Sequence, residues 1–122
     1  MRVAARHADE WNSWTSPAEL AHKVSVLQSH CAEIGRDPGD IRVSTQALLF
    51  LSTDEAWLTS KRQGPSGQPV IVGTPAEVSE TIGHYRDAGA DELIIPDFTL
   101  GPMSRRKDTC DLFMQEVVPQ FR

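Results

Sequence analysis

The chain has 122 residues, the size of one domain of roughly 100–150 residues. Its 39% apolar and 24% charged content is that of a folded protein and excludes disorder. Twelve basic against seventeen acidic residues leave a net charge of −5, which argues against nucleic acid as a partner, because phosphate neutralisation needs clustered Lys and Arg. No apolar run approaches the roughly 20 residues of a membrane span, so no membrane partner is expected. Met1 to His7 has no apolar core and is not a secretory signal.

Val3 to Ala8 reads as helix, yet nothing before it can cap it. The chain opens in mid-element, which raises the expectation that further chain belongs upstream. A short strand is possible near Asp9 to Asn12. Ser16-Pro17-Ala18-Glu19 then supplies an N-cap, a proline in the first turn and a glutamate three residues after the cap. The stripe Leu20, Val24, Leu27, Cys31, Ile34 runs along one helix face, and Gly35 stops it. A helix over 17–34 follows, with a polar turn at Arg36 to Asp40.

Ile41 to Leu51 reads as strand, and Ala47-Leu48-Leu49-Phe50-Leu51 is apolar without alternation. Such a run suits a parallel strand covered on both faces. Thr53 to Arg62 holds a short helix carrying Trp57, and Gln63 to Pro69 reads as loop. Val70-Ile71-Val72-Gly73 is extended and leads into Thr74-Pro75-Ala76-Glu77, a second capping box. Its helix, over 75–88, carries Val78, Ile82 and Tyr85 and stops at Gly89. Leu93-Ile94-Ile95 is a further buried strand, over 92–96, ended by Pro96-Asp97. A last helix over 104–118 has the stripe Cys110, Phe113, Met114, Val117, Phe121. Cys31 and Cys110 both fall on these apolar stripes and are expected as buried free thiols in a reducing cytoplasm.

Capped helix, glycine stop, turn and apolar strand recur, the grammar of α/β folds with parallel strands. No Walker loop, GxGxxG, GxSxG or HExxH is present, and the four histidines share no metal-ligand spacing. In parallel α/β folds function gathers at the C-terminal ends of strands. Three places qualify. Trp11-Asn12-Ser13-Trp14 could stack on and hydrogen-bond a flat ligand, or the tryptophans could simply cover the end of the sheet. Gly73-Thr74 sits at a helix N-terminus, where free N–H groups could attract an anion, although Pro75 removes one donor and a structural cap fully explains Thr74. Asp97, followed by Arg105 and Arg106, could hold a polar substrate tail or form a plain loop ion pair.

The string Ala4-Ala5-Arg6-His7-Ala8-Asp9-Glu10-Trp11-Asn12 resembles the segment A-R-x-A-D-x-W-N found late in luciferase-like oxidoreductases. Gly35-Arg36-Asp37-Pro38, Val72-Gly73-Thr74-Pro75-Ala76-Glu77-Val78 and Ala88-Gly89-Ala90-Asp91-Glu92-Leu93-Ile94-Ile95-Pro96-Asp97 follow in that family's order and spacing. The ordered set spans essentially the whole chain and is most similar to the branch using the deazaflavin coenzyme F420. The resemblance implies a β/α barrel of which this chain, a single domain over 1–122, supplies the C-terminal part, about the last three β/α units. It implies hydride transfer between F420 and a small organic substrate, with FMN-dependent monooxygenase chemistry as the alternative. A non-catalytic remnant acting as an association module is the other. The family's glycine-rich phosphate-binding stretch and early strands lie upstream of this segment, so this chain alone is expected to bind coenzyme weakly or not at all. Trp11, Asn12, Asp97 and Arg105 are the matched positions expected near the pocket. A homo-oligomer is expected, driven by unpaired strand edges and by Leu49, Phe50, Leu51, Ile94 and Ile95 on an open sheet face.

Overall fold

A computed structural model describes residues 1–62 and 67–122. The expected loop from Gln63 to Pro69 therefore lies partly outside the described residues. The chain runs α1 (Arg2–His7), β1 (Glu10–Trp14), α2 (Pro17–Ile34), β2 (Arg42–Gln46), β3 (Leu48–Leu51), α3 (Glu55–Arg62), β4 (Val70–Gly73), α4 (Pro75–Asp87), β5 (Glu92–Ile94) and α5 (Met103–Leu112). A π turn at Phe113–Val117 and a 3-10 turn at Val118–Phe121 follow α5.

Every strand pair is parallel. β1, β2 and β5 form one sheet in that order, and β3 pairs with β4 in another. In β1 and β2 the register sets Asn12 opposite Ser44 and Trp14 opposite Gln46.

Both capping boxes form as the sequence predicts. The Ser16 hydroxyl accepts from the Glu19 N–H, and the Glu19 carboxylate accepts from the Ser16 N–H at 2.9 Å. Thr74 and Glu77 repeat the arrangement. Gly35 ends α2 in the left-handed region, at φ 70°, where a side chain would be strained.

The core lies between the sheets and the helices. Leu20, Leu27 and Cys31 of α2, Val78 and Tyr85 of α4, and Val117 close onto Ile41, Val43, Ala47, Leu49, Leu51 and Ile71. Each large side chain fully buried there contributes about 1.5–3 kcal/mol. A buried polar bracket crosses this interior. The Tyr85 hydroxyl donates to the Thr15 carbonyl at 2.7 Å, and the Thr15 and Thr45 hydroxyls hydrogen-bond at 2.8 Å.

Four expectations need correction. The single strand 42–51 is two, broken at Ala47. The Ala47 N–H donates to Ile94 while the next, Leu48, donates to Pro69, so pairing passes from β5 to β4 at that residue. Cys110 is exposed. The face α5 buries passes through Thr109 and Val117, and adjacent helical residues lie about 100° apart. Ile34, at the end of the α2 stripe and in the last turn of the helix, is 46% exposed. Leu49, Phe50 and Leu51 are buried and form no open apolar face. Phe50 packs against Trp57 of α3, and the Thr99 hydroxyl donates to the Leu49 carbonyl from the other connection.

Candidate functional site

Strand alternation divides β1 and β2 into two faces. Trp11 packs on the helix-side core, and Ser13 meets the Lys23 ammonium of α2 at 3.2 Å. Glu10, Asn12 and Trp14 share the opposite face with Arg42, Ser44 and Gln46, and there the side chains form a ladder. The buried Ser44 hydroxyl donates to Glu10 Oε1 at 2.7 Å and accepts from Asn12 Nδ2 at 2.9 Å. Gln46 Nε2 donates to Asn12 Oδ1 at 2.7 Å. Arg42 and Glu92 form an ion pair across to β5.

These bonds give the ladder one sense. The Ser44 proton is committed to Glu10, so Ser44 must accept from Asn12, which fixes the Asn12 amide with its oxygen toward Gln46. Among the described residues, the Gln46 oxygen and the second amide protons of Asn12 and Gln46 have no hydrogen-bond partner at the C-terminal end of the strands. Trp14 stands beside them as an aromatic wall. Such a surface can hold a flat polar heterocycle by stacking and by paired donor and acceptor contacts.

Of the residues singled out from the sequence, Asn12 belongs to this surface and Trp11 faces the core. Asp97 pairs with Arg106 at 2.9 Å, so the expected loop ion pair forms, with Arg106 as its cation. The Arg105 guanidinium carbon lies over the Trp57 ring, 3.8 Å from its centroid. No hydrogen bond or ion pair joins Asn12 to Asp97 or Arg105 among the described residues. The residues that sequence reasoning missed are Glu10, Ser44 and Gln46. Their signal was present as polar side chains two apart on each strand, masked by the apolar run that follows. At Gly73–Thr74 the structural role holds: Thr74 takes the Glu77 carboxylate. The Thr74 N–H and hydroxyl, with Arg62 beyond, hold that carboxyl below its ordinary range.

A hollow of about 450 Å³ lies between α4, β5 and the last residues, lined by Arg86, Asp91, Glu92 and Gln120. It opens at the N-terminal end of β5, away from the strand ends where parallel folds carry function. No group of three or more possible metal ligands occurs among the described residues. No described helix is long and apolar enough to cross a membrane.

No protein-family model matches the chain, and no curated protein matches it in sequence. Solved structures do match. The coenzyme F420-dependent tetrahydromethanopterin reductase of Methanopyrus kandleri superposes with a TM-score of 0.75 at 16% identity, over 99% of this chain and 48% of that one. An F420-dependent secondary alcohol dehydrogenase, bound to an F420–acetone adduct, gives 0.73 at 14% identity, over 99% and 45%. A monooxygenase from Streptomyces bottropensis gives 0.72 at 17%, over 99% and 44%. At these identities the likeness establishes a shared α/β fold with parallel strands. The chain spans less than half the length of each of these three proteins.

Proposed function

We propose that this chain is the C-terminal part, about three β/α units, of a luciferase-like β/α barrel whose chemistry is F420-dependent hydride transfer to or from a small organic substrate. The observation that carries the reading is the polar ladder at the C-terminal strand ends, in a fold shared with two F420-dependent oxidoreductases. The ordered sequence resemblance to luciferase-like enzymes points the same way.

The residues present fit the ring of a deazaflavin. Asn12 and Gln46 offer amide donors and an acceptor to its pyrimidine edge, and Trp14 offers an aromatic face. They do not fit a phosphate arm, since Arg42, a cation on that face, is paired with Glu92. When bound, the coenzyme supplies the hydride chemistry. This chain orients the ring, and its amides hold no proton to transfer at neutral pH. An FMN-dependent monooxygenase is the alternative, supported by the likeness to the Streptomyces enzyme.

We infer further that the protein is cytoplasmic, where the exposed Cys110 thiol stays reduced, and that copies associate through the outer edges of β1 and β5. A non-catalytic association module is the second reading, favoured by the exposed apolar side chains of Ile94, Phe98, Met103 and Met114.

Titration of the purified chain with F420 and with FMN, read by coenzyme fluorescence, tests the proposal. Weak binding that prefers F420 is expected, weakened about fivefold in the Asn12→Ala/Gln46→Ala double variant for one net hydrogen bond lost. Equal titrations of wild type and a folded double variant would overturn the role of the ladder.

A further inference from the structure

Trp57 on α3 lies between two cations. Arg105 covers one ring at 3.8 Å, and the Lys61 ammonium stands 5.6 Å from the Trp57 and Phe50 ring centroids. Arg105 makes no ion pair among the described residues, whereas its neighbour Arg106 is tied to Asp97 and to the Gly101 carbonyl. In a chain of net charge −5, a guanidinium left without a carboxylate is a feature to be explained.

The arginine is held in place. Its guanidinium lies over the indole, and its N–H groups make no hydrogen bond to protein among the described residues, which leaves them to donate to a ligand. Its stem passes over Gly101, where an added Cβ would stand 3.0 Å from Arg105 Cδ, and the φ of 82° itself disfavours any other residue. Beside Arg105 is a cavity of about 260 Å³ at the C-terminal end of β3, lined also by Ser52, Thr53, Asp108 and Thr109. Ser52 is engaged by the Asp54 N–H. That bond leaves the Ser52 O–H a donor, the Thr53 and Thr109 hydroxyls make no hydrogen bond among the described residues and are further donors, and Asp108 sets an opposing charge in the wall. The cavity shares no residue with the ladder on β1 and β2.

We propose that this cavity is a binding site for the carboxylate or phosphate group of a small organic acid, with Arg105 as its bidentate donor. Two N–H groups of one guanidinium match the two oxygens of such a group. Stacking on Trp57 removes much of the side-chain freedom that binding would otherwise have to freeze. The inference stands independently of the coenzyme reading.

The test is NMR titration of the labelled chain with sodium phosphate and, separately, with sodium acetate, against sodium chloride at equal ionic strength. Saturable shifts of the Arg105 Nε–H and the Thr53 amide are expected with one or both oxyanions and not with chloride. The stronger arm identifies phosphate or carboxylate as the group recognised. Arg105→Lys should weaken binding about tenfold by losing the second donor. Asp108→Asn should tighten it by removing the like charge. Either variant alone keeps the proposal testable if the other fails to fold. Shifts equal to those in chloride, or affinities unchanged in both Arg105→Lys and Asp108→Asn, would overturn it.

Discussion

Tyr85 joins the two halves of the interior. Its ring is buried among α2, α4 and the sheet, and its hydroxyl reaches the Thr15 carbonyl seventy residues earlier. Burial, aided by the Glu19 carboxylate, pushes the phenol up to about 12 from an ordinary 10. The folded state thus holds this proton more tightly than the unfolded state. Stability from Tyr85 is complete below pH 10 and is lost as the pH rises from about 10 to 12. Tyr85→Phe should cost about 1 kcal/mol at neutral pH for the lost hydrogen bond. It should also flatten the decline between pH 10 and 12, which urea denaturation at pH 8 and pH 11 would reveal. A variant that keeps the full alkaline decline would show that another group causes it. Gly73 is a second single-residue constraint. A Cβ there would sit 2.6 Å from Glu77 Cβ, inside the capping box. Gly73→Ala should therefore destabilise the protein by about 1–3 kcal/mol as an overpacked contact, measured as a fall in the denaturation midpoint.

At the scale of elements, what sequence could reveal depended on how local the cause was. The caps of α2 and α4 were legible because a Ser or Thr and a Glu three residues on satisfy each other without help from the rest of the chain. Ser16→Ala should cost about 1 kcal/mol by releasing the first turn of α2, read as a lower thermal midpoint. The Ser16 N–H and hydroxyl hold the Glu19 carboxyl below its ordinary range. That contribution is present above the usual glutamate pKa and disappears as acid protonates Glu19. The break at Ala47 was not legible, because it arises from a change of partner strand and not from anything in Ala47 itself. The polar face of β1 and β2 was half legible. Asn12 stood out beside two tryptophans, whereas Ser44 and Gln46 matter only because the parallel register sets them opposite Asn12 and Trp14. The Arg105–Trp57 stack joins residues forty-eight apart and carried no sequence signal.

For the molecule as a whole, the three-stranded sheet has two open edges. β1 and β5 are its outer strands, and unpaired edges of parallel strands recruit other strands. Of the apolar set first expected on the open face, Ile94 is exposed while Leu49, Phe50 and Leu51 are buried; Phe98, Met103 and Met114 are exposed as well. Self-association is therefore expected, with a mass of at least twice the monomer by light scattering after size exclusion. Phe98→Asp should shift the population toward monomer, since a charge cannot be buried unpaired. An unchanged mass in that variant would leave the strand edges as the only drive.

The central claim is that the polar face of β1 and β2 is one wall of a coenzyme pocket. Residue-resolved NMR of the labelled chain, titrated with F420, tests it most directly. Shift changes should concentrate at Asn12, Trp14, Ser44 and Gln46 and follow a single weak isotherm. Changes confined to residues on the helix side, such as Trp11, Lys23 and Tyr85, would contradict it.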